Sequence, residues 1–282
     1  MTNQEFHIAG KHKKPILIDV TYEDTKKNQP VVIFCHGYKG FKDWGAWHLI
    51  AEEFAKAGFF FLKFNFSHNG GTLKQPIDFP DLEAFGNDNY SKQLDDLGSV
   101  LDWVEEANEY ADFINPHQIS LIGHSRGGGI SLLKTKEDQR IKKLVTWAGV
   151  SNFHYRFPKG KALEEWKQKG VYYVKNGRTK QDMPHFYQFY EDYIENKERF
   201  NFKAALKHLQ IPYLIIHGTA DETVNNKEAE FLFDQSDAAK MKWIAGANHV
   251  FSMQHPWSET SLPEEARELV MASIDFFRSQ NE

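Results

Sequence analysis

The chain has 282 residues, 41% of them apolar and 26% charged, with a formal net charge of −5. That length suits one large domain with an insertion better than two full domains, and no uncharged apolar stretch is long enough to cross a bilayer. The acidic balance argues against nucleic acid, since phosphate binding needs a basic surface, and the basic run Lys11-His-Lys-Lys14 reads as a solvated loop.

The first residues, Met1 to His7, lack the basic start and apolar core of a secretory signal, so a cytoplasmic setting is expected. Alternating segments around Phe6–Ile8 and Ile16–Val20 predict an antiparallel edge hairpin. A different rhythm follows. Short β-rich apolar runs at Pro30–Cys35, Phe59–Phe66, Gln118–Ile122, Leu144–Trp147, Tyr213–Ile216 and Met241–Ile244 alternate with stretches of helical spacing, the signature of βαβ units on a mainly parallel sheet. Helices are predicted from Trp47 to a stop at Gly58, along Leu94, Leu97, Leu101 and Val104 up to Ala107, and from Pro263 to Phe277. The one cysteine, Cys35, sits inside an apolar run and reads as a small buried hydrophobe.

Between Trp147 and Tyr213 lie far more residues than one helix and two loops require. The organisation expected is therefore a core over 1–151, a cap insertion over 152–205 and the rest of the core over 206–282. The insertion is rich in rings: Phe153, His154, Tyr155, Phe157, Trp166, Tyr172, Tyr173, His185, Phe186, Tyr187, Phe189 and Tyr190. Many must pack the cap onto the core. Tyr155, Trp166, Tyr172 and Phe186 are the candidates for contact with substrate.

The stretch Leu121-Ile-Gly-His-Ser-Arg-Gly-Gly-Gly129 carries G-x-S-x-G directly after a predicted strand and opens a segment that can be helical. A serine on such a sharp turn sits in a strained conformation, so its neighbours must be small, and its hydroxyl projects at a helix N-terminus. A serine hydroxyl needs a base to become a nucleophile, and the base needs a carboxylate to orient it. Asp221 lies just past the strand at 213–216, and His249 just past the strand at 241–244. In Phe34-Cys-His-Gly-Tyr-Lys-Gly40 a strand ends in His-Gly, which puts the amide of Tyr38 opposite the elbow; the amide of Arg126 is the second candidate donor to an oxyanion.

With HGYKG, GHSRGG, HGTADETV and GANHVF spread over most of its length, the chain resembles the α/β-hydrolase fold family, and within it the small bacterial serine esterases of the feruloyl or cinnamoyl type, with dienelactone-hydrolase-like relatives. The resemblance implies a mainly parallel central sheet flanked by helices, with a cap after the sixth strand. It also implies hydrolysis of a small-molecule carboxylic ester through an acyl-enzyme: Ser125 as nucleophile, His249 as base and then acid, Asp221 as its orienter. No cofactor or metal is implied. Arg126 departs from the Gln or Met that such esterases often carry, so mechanism is better defined than substrate; oligomeric state is left open.

Other residues compete for these roles. His36 and His124 read as braces of the oxyanion loop and elbow, and His217 as structural. Glu222 is a neighbouring alternative to Asp221. Asp78, Asp81, Asp88, Asp95 and Asp96 precede the nucleophile and read as a solvated face. A peptidase or amidase with the same triad is the competing activity, an aminopeptidase needing an acidic cap site for which Glu164, Glu165, Glu191 and Asp192 are available. A non-catalytic binding protein on the same fold is the third reading.

Overall fold

The computed structural model describes residues 1–106 and 109–279. In chain order the elements are β1 (Thr2–Ala9), β2 (Pro15–Tyr22), β3 (Gln29–Cys35), α1 (Trp47–Lys56), β4 (Phe60–Asn65), α2 (Leu82–Gly86), α3 (Tyr90–Glu105), β5 (Ile114–His124), α4 (Arg126–Glu137) and β6 (Ile141–Trp147). Then come α5 (Lys161–Lys169), β7 (Val171–Lys175), β8 (Asp182–Phe186), α6 (Gln188–Glu195), α7 (Phe202–Lys207), β9 (Tyr213–Gly218), α8 (Asn226–Asp234), β10 (Ala239–Ile244) and α9 (Glu264–Arg278). Each apolar run singled out in the sequence is a strand. The predicted end of α3 at Ala107 lies outside the described residues.

Eight strands form one sheet in the order β1-β2-β4-β3-β5-β6-β9-β10. β1 and β2 make the expected antiparallel edge hairpin and β2 runs antiparallel to β4, while every pairing from β4 to β10 is parallel. Side chains alternate across the sheet, and β3 displays the consequence: Val31, Ile33 and Cys35 face a core shared with α3 and α4, whereas Val32 and Phe34 face a core shared with α1 and α9. With both faces covered by helices, the parallel strands read as continuous apolar runs. Cys35 is sealed inside, and burial pushes its thiol up to about 12.

Between β6 and β9 the chain leaves the sheet. It makes a single 3-10 turn at His154–Arg156, then α5, an antiparallel β7–β8 hairpin, α6 and α7. Phe153, Phe157, Trp166, Phe189, Phe200 and Phe202 from this stretch join the same apolar cluster as α3 and α4. Phe153 stacks on Tyr90 with centroids 3.7 Å apart.

The solvated face expected of the early acids is corrected for two of them. Asp96 is fully buried on α3, where its Oδ2 accepts the Ser67 N–H at 2.8 Å, and Asp88 is largely covered beside Arg126. Periodicity marked the apolar face of α3 and could not reveal partners supplied by distant loops.

Candidate active site

Parallel strands end together, so the loops after β3, β5, β9 and β10 meet at one rim of the sheet. The turn after β5 is the sharpest. Ser125 has φ +55° and ψ −119°, a conformation costly for any residue with a Cβ. The turn is held by the Ser125 N–H donating to Trp147 O at 2.9 Å and by Ser125 O accepting from Gly128 N at 3.0 Å and Val150 N at 3.2 Å. Two glycines make room for it. A Cβ on Gly123 would lie 2.3 Å from Gly127 O, and one on Gly127 would lie 2.2 Å from Cys35 O. Gly129 answers to a different constraint, since a Cβ there would meet Val150, Phe153 and Phe202, the entry to and the far end of the excursion between β6 and β9.

Asp221 follows β9 and is fixed from several sides. Its Oδ1 accepts the N–H groups of Thr223 at 2.8 Å and Val224 at 2.9 Å, and its Oδ2 accepts from His249 Nδ1 at 2.8 Å. Burial alone would raise its pKa. Donors from His217 and His249, the His249 charge and the Val224 N–H outweigh that, and hold the carboxyl far below the usual carboxylate range. The loops after β9 and β10 are tied together by Thr219 N donating to Ile244 O and Ala220 N to Ala247 O, both at 3.0 Å, which carries His249 to Asp221.

Ser125 and His249 line one cavity of about 130 Å³ together with His36, Gly37, Tyr38, Lys39, Trp44, Trp47 and His124. The Nδ1 of His249 is committed to Asp221, which leaves Nε2 to act as a base. Across from Ser125, β3 ends in a tight turn closed by Gly40 N donating to Gly37 O at 3.1 Å. Neither the Tyr38 N–H nor the Arg126 N–H donates to a protein acceptor among the described residues, so both amides are free for a ligand oxygen.

The neighbouring histidines brace this arrangement. His36 Nδ1 donates to Gly37 O at 2.9 Å and its Nε2 accepts from Phe66 N; His124 Nε2 donates to His249 O at 2.9 Å and its ring packs on Trp47. Burial keeps both neutral, lowering His36 to about 4 and His124 to about 3. His217 donates through Nε2 to Val224 O at 2.9 Å and stands 3.3 Å from Asp221 Oδ2, the oxygen that His249 also meets, so it supports the acid; it does not line the Ser125 cavity. Glu222 is exposed beside it.

The four cap candidates fall in different places, and none lines the cavity. Tyr155 is 71% exposed. Trp166 is buried, its Nε1 donating to His185 O at 2.8 Å, with Tyr172 and Tyr187 edge-on to its ring. Tyr172 stacks on His185, and Phe186 presses against Gly86. The residue that reaches the oxyanion loop is His185, whose Nε2 lies 2.7 Å from the Tyr38 hydroxyl. The sequence offered no local signal for this, because the two positions are 147 residues apart. Of the acids available to an aminopeptidase, Glu165 pairs with Lys161 and Lys169, and Asp192 accepts the Ser91 N–H; none of the four lines the cavity.

Among the described residues no group of three or more His, Cys, Asp or Glu side chains could hold a metal ion, and no helix is long and apolar enough to cross a membrane.

Residues 30–169 match the family model for the alpha/beta hydrolase fold. A 2-hydroxymuconate semialdehyde hydrolase of Pseudomonas sp. strain CF600 is 28% identical over 138 residues, 48% of this chain and 42% of that protein, so the chain aligns with less than half the length of this relative. A Mycoplasma genitalium protein bearing the name esterase/lipase 2 is 24% identical over 245 residues, covering 79% of this chain and 84% of that one. Among solved structures, the esterase domain of a Rhodothermus marinus protein superposes with a TM-score of 0.65 at 16% identity, over 98% of both chains, a likeness of fold.

Proposed function

From the premise that this chain belongs to the α/β-hydrolase fold family, we propose that it is a serine hydrolase that cleaves small carboxylic esters through an acyl-enzyme. The observation that carries the reading is the strained Ser125 sharing one cavity with a His249 whose Nδ1 is bound to Asp221.

In this mechanism Ser125 Oγ attacks the ester carbonyl carbon while His249 Nε2 takes the hydroxyl proton. Asp221 holds the imidazole in the tautomer that leaves Nε2 free and stabilises the imidazolium that forms. The carbonyl oxygen becomes an oxyanion between the amides of Tyr38 and Arg126, each such donor being worth about 3 kcal/mol in the transition state. Collapse of the tetrahedral species breaks the bond to the alcohol oxygen, which receives the proton from His249. Water then attacks the acyl-enzyme by the same route, with His249 again as base, and releases the acid and free Ser125.

The segment 152–205 serves as the cap, and its contribution to the site runs through His185 and Tyr172 beside Tyr38. Trp166 holds the cap's interior together, and Phe186 seats it against α2. An ester fits better than a peptide with a free amine, because no acid among the described residues lines the cavity to receive an ammonium group.

Titration of acid released from methyl and phenyl esters tests the reading. The wild-type protein should turn them over, and His249→Ala should retain its fold while losing about 10⁴-fold or more in kcat. Activity retained in His249→Ala, or a strong preference for aminoacyl anilides over esters, would refute it.

A further inference from the structure

Two cations stand beside the Ser125 cavity, and hydrolysis as described uses neither charge. Arg126 gives only its backbone N–H to the oxyanion. Its guanidinium lies 4.3 Å from the centroid of the Tyr38 ring and 5.5 Å from those of Tyr90 and Phe189. An arginine side chain carries five N–H donors, yet among the described residues none of them makes a hydrogen bond. Its one carboxylate neighbour, Asp88 Oδ2, stands 3.7 Å from Nη1, too far for a hydrogen bond, and that oxygen accepts instead from Gln93 Nε2 at 2.6 Å. The Arg126 side chain as a whole is 12% exposed, so it is mostly desolvated.

Lys39 lines the cavity itself, with Nζ 5.1 Å from the same Tyr38 ring. No acid of the described residues lies within ion-pair distance of it. Burial, and then the charge of Arg126, lower its pKa. Asp88 offsets the charge of Arg126, and Lys39 is left as surplus positive charge at the mouth of the site. Held donors with no acceptor and an unbalanced cation are costly in a half-buried place unless a ligand completes them.

We propose that the site is built for an ester that carries a free carboxylate, which pairs with the Arg126 guanidinium while Lys39 supplies the balancing charge and Ser125 attacks the ester carbonyl. The planar fork of a guanidinium matches a carboxylate bidentately, and the Arg126 donors have no hydrogen-bond acceptor among the described residues. A neutral ester of the same shape leaves those donors unpaired. This inference rests on the ester-hydrolase reading and names the substrate class of that same site.

Matched ester pairs test it and also locate the carboxylate. Monomethyl adipate against methyl hexanoate places the charge on the acyl side, and 3-butyryloxybenzoate against phenyl butyrate places it on the alcohol side. In one of the two pairs the charged member should have a kcat/KM about ten-fold or more above its neutral partner, the scale of one charge-assisted contact. Lys39→Met and Arg126→Met, the latter keeping its backbone amide, should each shrink that ratio several-fold, and so should raising the salt concentration. A ratio at or below one in both pairs, or a ratio that neither substitution moves, overturns the inference while leaving the esterase reading intact. Turnover of none of the four esters, with no covalent labelling of Ser125, would overturn the parent reading instead.

Discussion

At the rim of the sheet, bonds to main-chain groups do the positioning: the Ser125 backbone is tied to Trp147, Gly128 and Val150, and the Asp221 carboxylate accepts the main-chain N–H groups of Thr223 and Val224. In the excursion between β6 and β9, side chains do it: Phe153 stacks on Tyr90, Trp166 is ringed by Tyr172, Tyr187 and Tyr190, and His185 reaches Tyr38. In the first region the constraint is contact with backbone atoms that cannot move aside, whereas in the second it is contact between side chains that can shift. The rim should therefore fail abruptly when one atom is added, and the insertion should fail by degrees.

The largest effect expected is chemical. Ser125→Ala should lower kcat by about 10⁴-fold or more with little change in melting temperature, as measured by ester turnover and differential scanning calorimetry. An equal loss of stability would mean that the rim is not the rigid frame described. Next comes Gly127→Ala, whose new Cβ would sit 2.2 Å from the backbone oxygen of Cys35, where no side chain can yield. It should cost about 3 kcal/mol or more, or prevent folding, and a denaturant midpoint close to wild type would show that the elbow can relax.

In the insertion, Trp166→Ala removes a buried ring and its bond to His185 O, at a cost of about 3–5 kcal/mol. If the two regions are built as argued, its kcat/KM falls mainly through KM while Ser125 still reacts with fluorophosphonates. A loss of labelling would show instead that the cap and the rim are one cooperative unit. Tyr38→Phe is the smallest change. It deletes the hydroxyl facing His185 and should cost about 1 kcal/mol, with a several-fold loss of turnover.

Acid should act on both regions at once. Burial lowers His36 and His68 to about 4 and His124 and His185 to about 3, against 6.5 in the unfolded chain. Below pH 6.5 the unfolded chain binds protons that the folded one refuses. The stability these groups contribute is thus complete above pH 6.5 and is lost as pH falls toward 3. Asp88, raised by burial to about 6, and Asp96, raised by burial to about 7, work in the opposite sense over pH 7 to 4. Four histidines against two acids leave a net loss, and the melting temperature should fall from pH 7 to pH 4. A flat profile over that window would show that the buried histidines are hydrated.

Most of the sheet was legible in the sequence, because a strand buried on both faces must be apolar throughout and turns need recognisable residues. Ser125, Asp221 and His249 were legible for the same reason: each follows a strand within a few residues. The surroundings of Arg126 were not. Tyr38, the Asp88–Tyr90 stretch at the start of α3, and Phe189 reach it from three separate segments, and no spacing rule joins them. Gly129 was equally opaque, since its reason lies in Phe153 and Phe202 far along the chain. The four aromatic cap candidates were chosen by residue type, and type alone could not separate an exposed Tyr155 from a sealed Trp166.

Mass spectrometry of the protein treated with a fluorophosphonate tests whether Ser125 is the nucleophile that His249 and Asp221 activate. One adduct is expected, on the peptide containing Ser125, formed rapidly by the wild type, slowly by His249→Ala and not at all by Ser125→Ala. No adduct on the folded wild-type protein, or one that persists in Ser125→Ala, would contradict it.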